Sequence, residues 1–242
     1  MKQHFREAMT SLEDDHWWYR ARRTILEHAV SRFVGEAGLG LTIGVGAVRE
    51  AEMLSRHCRL VSIDIAPIDP RCADIGPATQ ATATALPFSD NAFDAVFLFD
   101  VLEHIEQDDV VLEEIRRVLK PDGKLLLTVP AFMFLYGLQD IVSEHKRRYR
   151  IGPFRDLLAR SGFELEYSSY FNTLLFPPIA AVRLFRRVFP ADASRGGSDF
   201  DLRLPRLFEG MLERLFSLER HAIDRAHFPF GISILCSARR PS

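Results

Sequence analysis

Three groups of residues in this chain have the types and spacing to do chemistry. Asp100, Glu103 and His104 follow the apolar run Phe93–Phe99 at positions i, i+3 and i+4. On a helical turn they share one face, so they could hold a divalent ion, or His104 could take a proton beside two carboxylates. A buried histidine at a helix start is the even alternative. The basic segment Ser143–Arg150 carries His145, Arg147, Arg148 and Tyr149. Two guanidinium groups there could bind a carboxylate or phosphate, and a solvated basic loop is equally open. In the third group, the apolar run Leu39–Val45 meets Gly44 and Gly46, and the helix-like segment Arg49–Arg56 follows at once. Glycines between a strand and a helix let backbone amides approach a nucleotide-type cofactor. Asp64 ends a second apolar run, Arg59–Ile63, 20 residues after Gly44. In a doubly wound sheet that carboxylate lies beside the glycine turn, where it can accept hydrogen bonds from ribose hydroxyls.

The elements that must position these groups alternate. Ile25, Leu26, Ala29, Val30 and Phe33 recur at helical spacing within a helix expected over 3–34, broken near Asp14–Asp15. Strands are expected at 39–45, 59–64, weakly at 78–83, and at 93–99, 124–130 and 163–170, with a last strand at 229–236. Between them lie helices at 49–56, 108–119 and 154–161, with Pro121-Asp122-Gly123 as the turn that stops the second. The strands are apolar throughout rather than alternating, which indicates an α/β sheet covered on both faces. Leu207, Met211, Leu212, Leu215 and Leu218 mark a helix inside a segment, 172–228, that reads as an insertion before the last strand, a lid or docking element.

With 242 residues, 47% of them hydrophobic, the chain suffices for one domain with a continuous core. Its parts read as N-terminal helices (1–38), core (39–171), insertion (172–228) and last strand with tail (229–242). A formal net charge of −2 argues against a dedicated nucleic-acid binder. Cys58, Cys72 and Cys236 fit no metal-ligand pattern and read as reduced thiols of a cytoplasmic protein. The charged N-terminus lacks the apolar core of a signal peptide, and no apolar run approaches 18 residues. The segment 167–190 contains no Asp or Glu, is strongly apolar and carries Arg183, Arg186 and Arg187. It suggests contact with an anionic membrane or a lipid substrate, against packing as a cap.

Taken in order, the glycine turn, Asp64, Leu86-Pro87-Phe88, Phe93-Asp94-Ala95-Val96, Leu102-Glu103-His104, Leu119–Gly123 and the strand 125–129 resemble class I S-adenosylmethionine-dependent methyltransferases. The resemblance covers roughly 14–170, and 229–236 is similar to that family's last strand. His16-Trp17-Trp18-Tyr19 and His145-x-Arg147-Arg148-Tyr149 look like a bacterial subgroup associated with lipid, quinone or glycan modification. The resemblance implies a Rossmann-like seven-stranded sheet with only the last strand antiparallel, and S-adenosylmethionine as cofactor. It assigns Thr42, Gly44 and Gly46 to the methionine part, Asp64 to the ribose, Thr82 and Ala83 to the adenine, and Phe99 and Asp100 to the closing of the pocket. His104 becomes the candidate base with Asp100 beside it. Trp18, His145, Arg147, Arg148 and Tyr149 become candidates for contact with a small-molecule or lipid-linked acceptor, although paired tryptophans plug cores more often than they hold ligands. A comparable acid–Glu–His cluster supports a metal in some ubiquinone-pathway O-methyltransferases; the same string occurs in relatives without one, and no metal is expected. Thr42, Val48 and Thr82 stand where the family carries an acid, a glycine and an Asp. These departures motivate a second expectation, a non-catalytic relative acting as scaffold or partner subunit.

Overall fold

The computed structural model describes residues 16–45, 48–188 and 205–242. Seven strands form one sheet: β1 (Leu39–Ile43), β2 (Arg59–Asp64), β3 (Ala78–Gln80), β4 (Phe93–Phe99), β5 (Leu119–Pro130), β6 (Glu164–Phe171) and β7 (Ser233–Arg239). Their order is β3-β2-β1-β4-β5-β7-β6. Strand β7 runs antiparallel to both of its neighbours, and the other pairs are parallel. The chain steps outward from β1 to β3, then returns to lay β4 on the other side of β1. That reversal opens a crevice at the carboxyl ends of β1 and β4, the usual ligand position in such sheets.

Among the described residues, seven α-helices cover the sheet: α1 (Trp17–Ala29), α2 (Val48–Leu54), α3 (Asp108–Val118), α4 (Leu138–Val142), α5 (Ile151–Arg160), α6 (Phe176–Val188) and α7 (Arg206–Ser217). Alternate strand residues divide the core in two. Leu41, Ile43, Val96, Leu98, Leu125 and Leu127 pack with Val111, Leu112 and Ile115 of α3 and with Phe154 and Leu158 of α5. Leu60, Ala95, Phe97, Leu126 and Leu235 face the other way, onto Ile25 and Leu26 of α1, Met53 and Leu54 of α2, and Phe216 of α7. Each such fully buried side chain contributes about 1.5–3 kcal/mol from desolvation. Both faces are therefore apolar, which is why the strands read as continuous runs.

Several boundaries differ from expectation: the last strand, expected at 229–236, is Ser233–Arg239, and β1 ends at Ile43 instead of Val45. Strand β5 starts at Leu119 and not at Lys124, because Pro121-Asp122-Gly123 bulges out between the pairs Phe93↔Leu119 and Ala95↔Lys124 instead of ending the pairing. Strand β3 is only three residues long. The segment 172–228 is not simply a lid: α7 packs on α1, and Phe216 is fully buried against the sheet face. The expected helix over 3–15, its break near Asp14–Asp15, residues 189–204 of the insertion, and Gly46 lie outside the described residues. No helix among the described residues is long and apolar enough to cross a membrane.

Candidate functional site

The glycine turn forms because β1 must stop against β4. Gly44 sits at φ +83°, and its N–H donates to the Ile63 carbonyl at 2.8 Å. A Cβ there would come within 2.3 Å of Val101 Cγ2, so both conformation and space call for glycine. Thr42 lies one turn of the pleat earlier, buried in β1 between Ser62 and Phe97. Asp64 ends β2 with a buried side chain whose Oδ1 accepts from the Ala66 N–H at 2.8 Å. Thr82 and Ala83 follow β3, where the two hydroxyls of Thr82 and Thr84 meet at 2.8 Å. Phe99 closes β4, half of the carboxyl-end rim that Gly44, Asp64 and Asp100 complete.

Asp100 is the strained member. It holds φ +53°, a left-handed conformation uncommon outside glycine, and its N–H is pinned to the Thr128 carbonyl at 3.0 Å. Its Oδ2 accepts from Arg22 Nη2 of α1 at 2.7 Å, and the same guanidinium bonds Glu50 in the first turn of α2. Burial alone would lower the Arg22 pKa, yet the two carboxylates outweigh it and raise it. Trp18 has its ring 5.8 Å from that guanidinium and 6.3 Å from Phe216 of α7, which makes it packing between helices as well as a partner for Arg22.

Past β4, Glu103 is fully buried, and neither of its carboxylate oxygens has a hydrogen-bond partner among the described residues. Burial and the neighbouring Asp100 push its pKa well up. His104 meets the ring of His145 edge-on at 4.6 Å, and burial together with His145 pushes its pKa down to about 4. The ligand atoms of Glu103, His104 and His145 all lie within 4.8 Å of one another, so this trio, not Asp100–Glu103–His104, is the donor set that could hold a divalent ion. Asp100 is instead committed to Arg22.

The basic segment after β5 is largely turned inward. His145 Nδ1 lies 2.8 Å from Asp140 Oδ1, and Arg148 Nε donates to that same oxygen at 2.7 Å. Burial would raise the Asp140 pKa, but the His145 hydrogen bond and the Arg148 charge hold it well below the usual carboxylate range. Arg148 also donates to the Ala131 carbonyl at 3.1 Å. Arg147 and the Tyr149 hydroxyl both bond Asp108 Oδ2, at 3.0 and 3.1 Å. The two arginines thus serve ion pairs of the fold itself. Sequence reasoning missed Arg22, Glu50 and Asp140. Arg22 carried a faint signal, a cation on the buried face of an apolar helix; Asp140 carried none.

Residues 41–127 match the family model described as Methyltransferase domain. Over 69 residues the chain is 45% identical to the ubiquinone/menaquinone biosynthesis C-methyltransferase of Blochmanniella pennsylvanica, an alignment covering 27% of each protein. Residues 41–127 thus carry a methyltransferase domain. It spans a quarter to a half of the length of the curated relatives it matches. Among solved structures, the chain superposes on the N-methyltransferase NodS of Bradyrhizobium japonicum, solved with S-adenosylhomocysteine, at TM-score 0.57 and 17% identity, covering 99% of this chain and 98% of that one. The [4+2]-cyclase SpnF is similar at TM-score 0.58 and 22% identity, covering 91% and 80%. At these identities the likeness is one of fold, and the second neighbour shows that the fold also hosts other chemistry.

Proposed function

We propose that this chain binds S-adenosylmethionine in the crevice at the carboxyl ends of β1, β2 and β4 and transfers its methyl group to a small-molecule or lipid-linked acceptor. One observation carries the reading. Six described residues have buried side-chain polar atoms with no hydrogen-bond partner among the described residues. Asp100, Glu103, Thr128 and Asn172 lie at or near the carboxyl ends of β4, β5 and β6, and Arg22 is bonded to Asp100. Leaving such groups unmatched costs about 1–3 kcal/mol each, so their concentration on one rim marks a surface built to meet a polar ligand.

The residues present fit this cofactor. Gly44 holds the tight positive-φ turn at the end of β1, Asp64 offers a carboxylate for ribose hydroxyls, and Thr82 and Ala83 follow β3, where adenine would lie. Gly46 and Thr42 belong to the same turn by sequence. When bound, S-adenosylmethionine supplies an electrophilic methyl group on a sulfonium. The remaining task of the protein is to align the acceptor and manage its proton.

His104 is the proton acceptor in this reading. With its pKa near 4 it is neutral at physiological pH and only weakly basic. Such a base suits a phenolic oxygen, an enolised carbon or an amine better than an aliphatic hydroxyl. His145 and Trp18 border the same end of the sheet; Arg147, Arg148 and Tyr149 shape the acceptor side from within the fold. Met133, Phe134, Ile141, Phe185 and Phe230 are exposed around α4 and α6, with Phe134, Phe176 and Phe230 in ring contact. That apolar border supports an acceptor with a hydrophobic tail, or contact with a membrane surface. Equilibrium dialysis with labelled S-adenosylmethionine tests the site: Asp64→Ala is expected to weaken binding roughly 10-fold or more. Unchanged affinity would place the ribose elsewhere.

A further inference from the structure

Strand β6 runs parallel to β5 across the intervening β7, so its carboxyl end lies on the same rim of the sheet as the ends of β4 and β5. Asn172 follows β6 there, fully buried and at φ +59°, and neither its Nδ2 nor its Oδ1 has a hydrogen-bond partner among the described residues. The turn is held without that amide: Glu219 accepts from the N–H groups of Asn172 and Leu174 at 2.6 and 2.8 Å. A buried carboxamide on a fixed backbone is costly until a ligand completes its bonds. A cluster of rings stands beside it. Phe132, just past β5, holds φ +60°, an outlier for a bulky side chain. Its N–H donates to the Tyr149 carbonyl at 2.8 Å, the Tyr149 N–H donates to the Pro130 carbonyl at 2.8 Å, and Arg148 holds the Ala131 carbonyl between them. The Phe132 ring stacks on Tyr170 at 4.9 Å and meets Phe176 at 6.0 Å, and Phe176 meets Phe230 at 5.2 Å. Thr173 Oγ1 donates to the Phe230 carbonyl at 2.7 Å, which ties the rings to the Asn172 turn. Leu174 and Phe230 are both exposed, so the cluster opens to solvent on that side.

The amide narrows the chemistry of what it meets. Nδ2 is a donor and Oδ1 an acceptor, so a complete match needs a group that both accepts and donates. A carboxylate or phosphate answers Nδ2 alone and sets its charge against Oδ1; an ammonium does the reverse. The arginines of the basic segment offer an anion no help, because Arg147 is bonded to Asp108 and Arg148 to Asp140. An uncharged hydroxyl or carboxamide satisfies both atoms. We propose that Asn172 reads an uncharged hydroxyl or carboxamide of the methyl acceptor, while Phe132 and its neighbouring rings hold an adjoining planar apolar part. This rests on the methyl-transfer reading above and deepens it by naming the class of acceptor. Asn172 and Phe132 touch the ligand. Arg148 and Tyr149 act through the Phe132 turn and are positioning residues, which gives the basic segment a task other than binding an anion.

The test is a ligand-detected NMR titration with three probes that share one ring system and differ in the polar group: biphenyl-4-carboxamide, 4-phenylphenol and biphenyl-4-carboxylate. Wild-type protein is expected to bind the two uncharged probes roughly 5-fold or more tighter than the carboxylate. Asn172→Gly accepts the same positive φ and removes only the amide, so it should bring the three affinities within about 2-fold of one another. Phe132→Gly relieves the strained turn and should weaken all three probes by roughly 5-fold or more while leaving their ratio unchanged. Circular dichroism checks folding, and the wild-type ratio stands independently of any variant. Binding of none of the probes, a carboxylate bound as tightly as the uncharged pair, or a preference untouched in folded Asn172→Gly would overturn the proposal. S-adenosylhomocysteine is titrated into the same samples. Its failure to bind, with the probe preference intact, would bring down the cofactor reading and leave Asn172 as a ligand site.

Discussion

At the scale of single residues, charge placement decides what each group can do. His104 has a depressed pKa, so it stays unprotonated down to about pH 5 and is protonated only near about 4. If it removes the acceptor proton, the acid limb of kcat/KM should fall near pH 4 rather than near 6.5, the value of an unperturbed imidazole. The sign for stability is the same. The folded state binds this proton less readily than the unfolded state, so the contribution is full above about pH 6.5 and is lost as pH falls through 6.5 toward 4. A rate profile whose acid limb sits at 6.5 would remove His104 from the role of base. Asp140 is the structural counterpart. It anchors His145 and Arg148 and receives the Gly137 N–H at 2.8 Å, so Asp140→Ala strands two cationic or polar partners in a dry place. A loss of about 3–5 kcal/mol is expected, read by chemical denaturation, while Asp140→Asn should cost less.

Among the elements, turns and caps set where the site residues end up. Gly44→Ala puts a side chain at φ +83° and against Val101; about 1–2 kcal/mol of destabilisation is expected, a Tm drop of roughly 2–8 °C, together with weakened cofactor binding. Thermal shift with and without S-adenosylhomocysteine separates the two effects. Glu219 is buried and accepts from the N–H groups of Asn172 and Leu174 at 2.6 and 2.8 Å, tying α7 to the end of β6. Glu219→Ala orphans both donors and should cost about 1–3 kcal/mol, with Glu219→Gln milder because one acceptor oxygen remains. These elements were unevenly legible. The strand runs 39–43, 59–64 and 93–99 were plain because both faces of each are buried, and Asp64 followed from strand context and spacing. The bulge in β5 was hidden because Pro121-Asp122-Gly123 has the chemistry of a true turn, and only pairing across the sheet shows that the strand continues. The inward turn of Arg147 and Arg148 was equally hidden, since their acids, Asp108 and Asp140, are remote in sequence or unmarked by pattern.

For the whole molecule, the two-faced core and the single sheet explain how α1 and α7, far apart in the chain, come to pack together over one face of the sheet. Helix α1 brings Arg22 to Asp100 from one side of the sheet, while the segment after β5 brings His145 to His104 beyond β4. The exposed apolar border around α4 and α6 is the molecular feature that bears on the acceptor. Sedimentation with phosphatidylglycerol-containing vesicles should pull down the protein, and Ile141→Ser with Phe185→Ser should reduce that fraction several-fold without lowering Tm, because both side chains are about 60% exposed. No sedimentation would leave the apolar border to a soluble acceptor. The central claim is that the crevice at the carboxyl ends of β1, β2 and β4 is a working cofactor site. Titration calorimetry with S-adenosylhomocysteine tests it most directly. One site per chain with micromolar or tighter affinity is the predicted result; no heat of binding at millimolar ligand would contradict it and favour a scaffold or partner role for the fold.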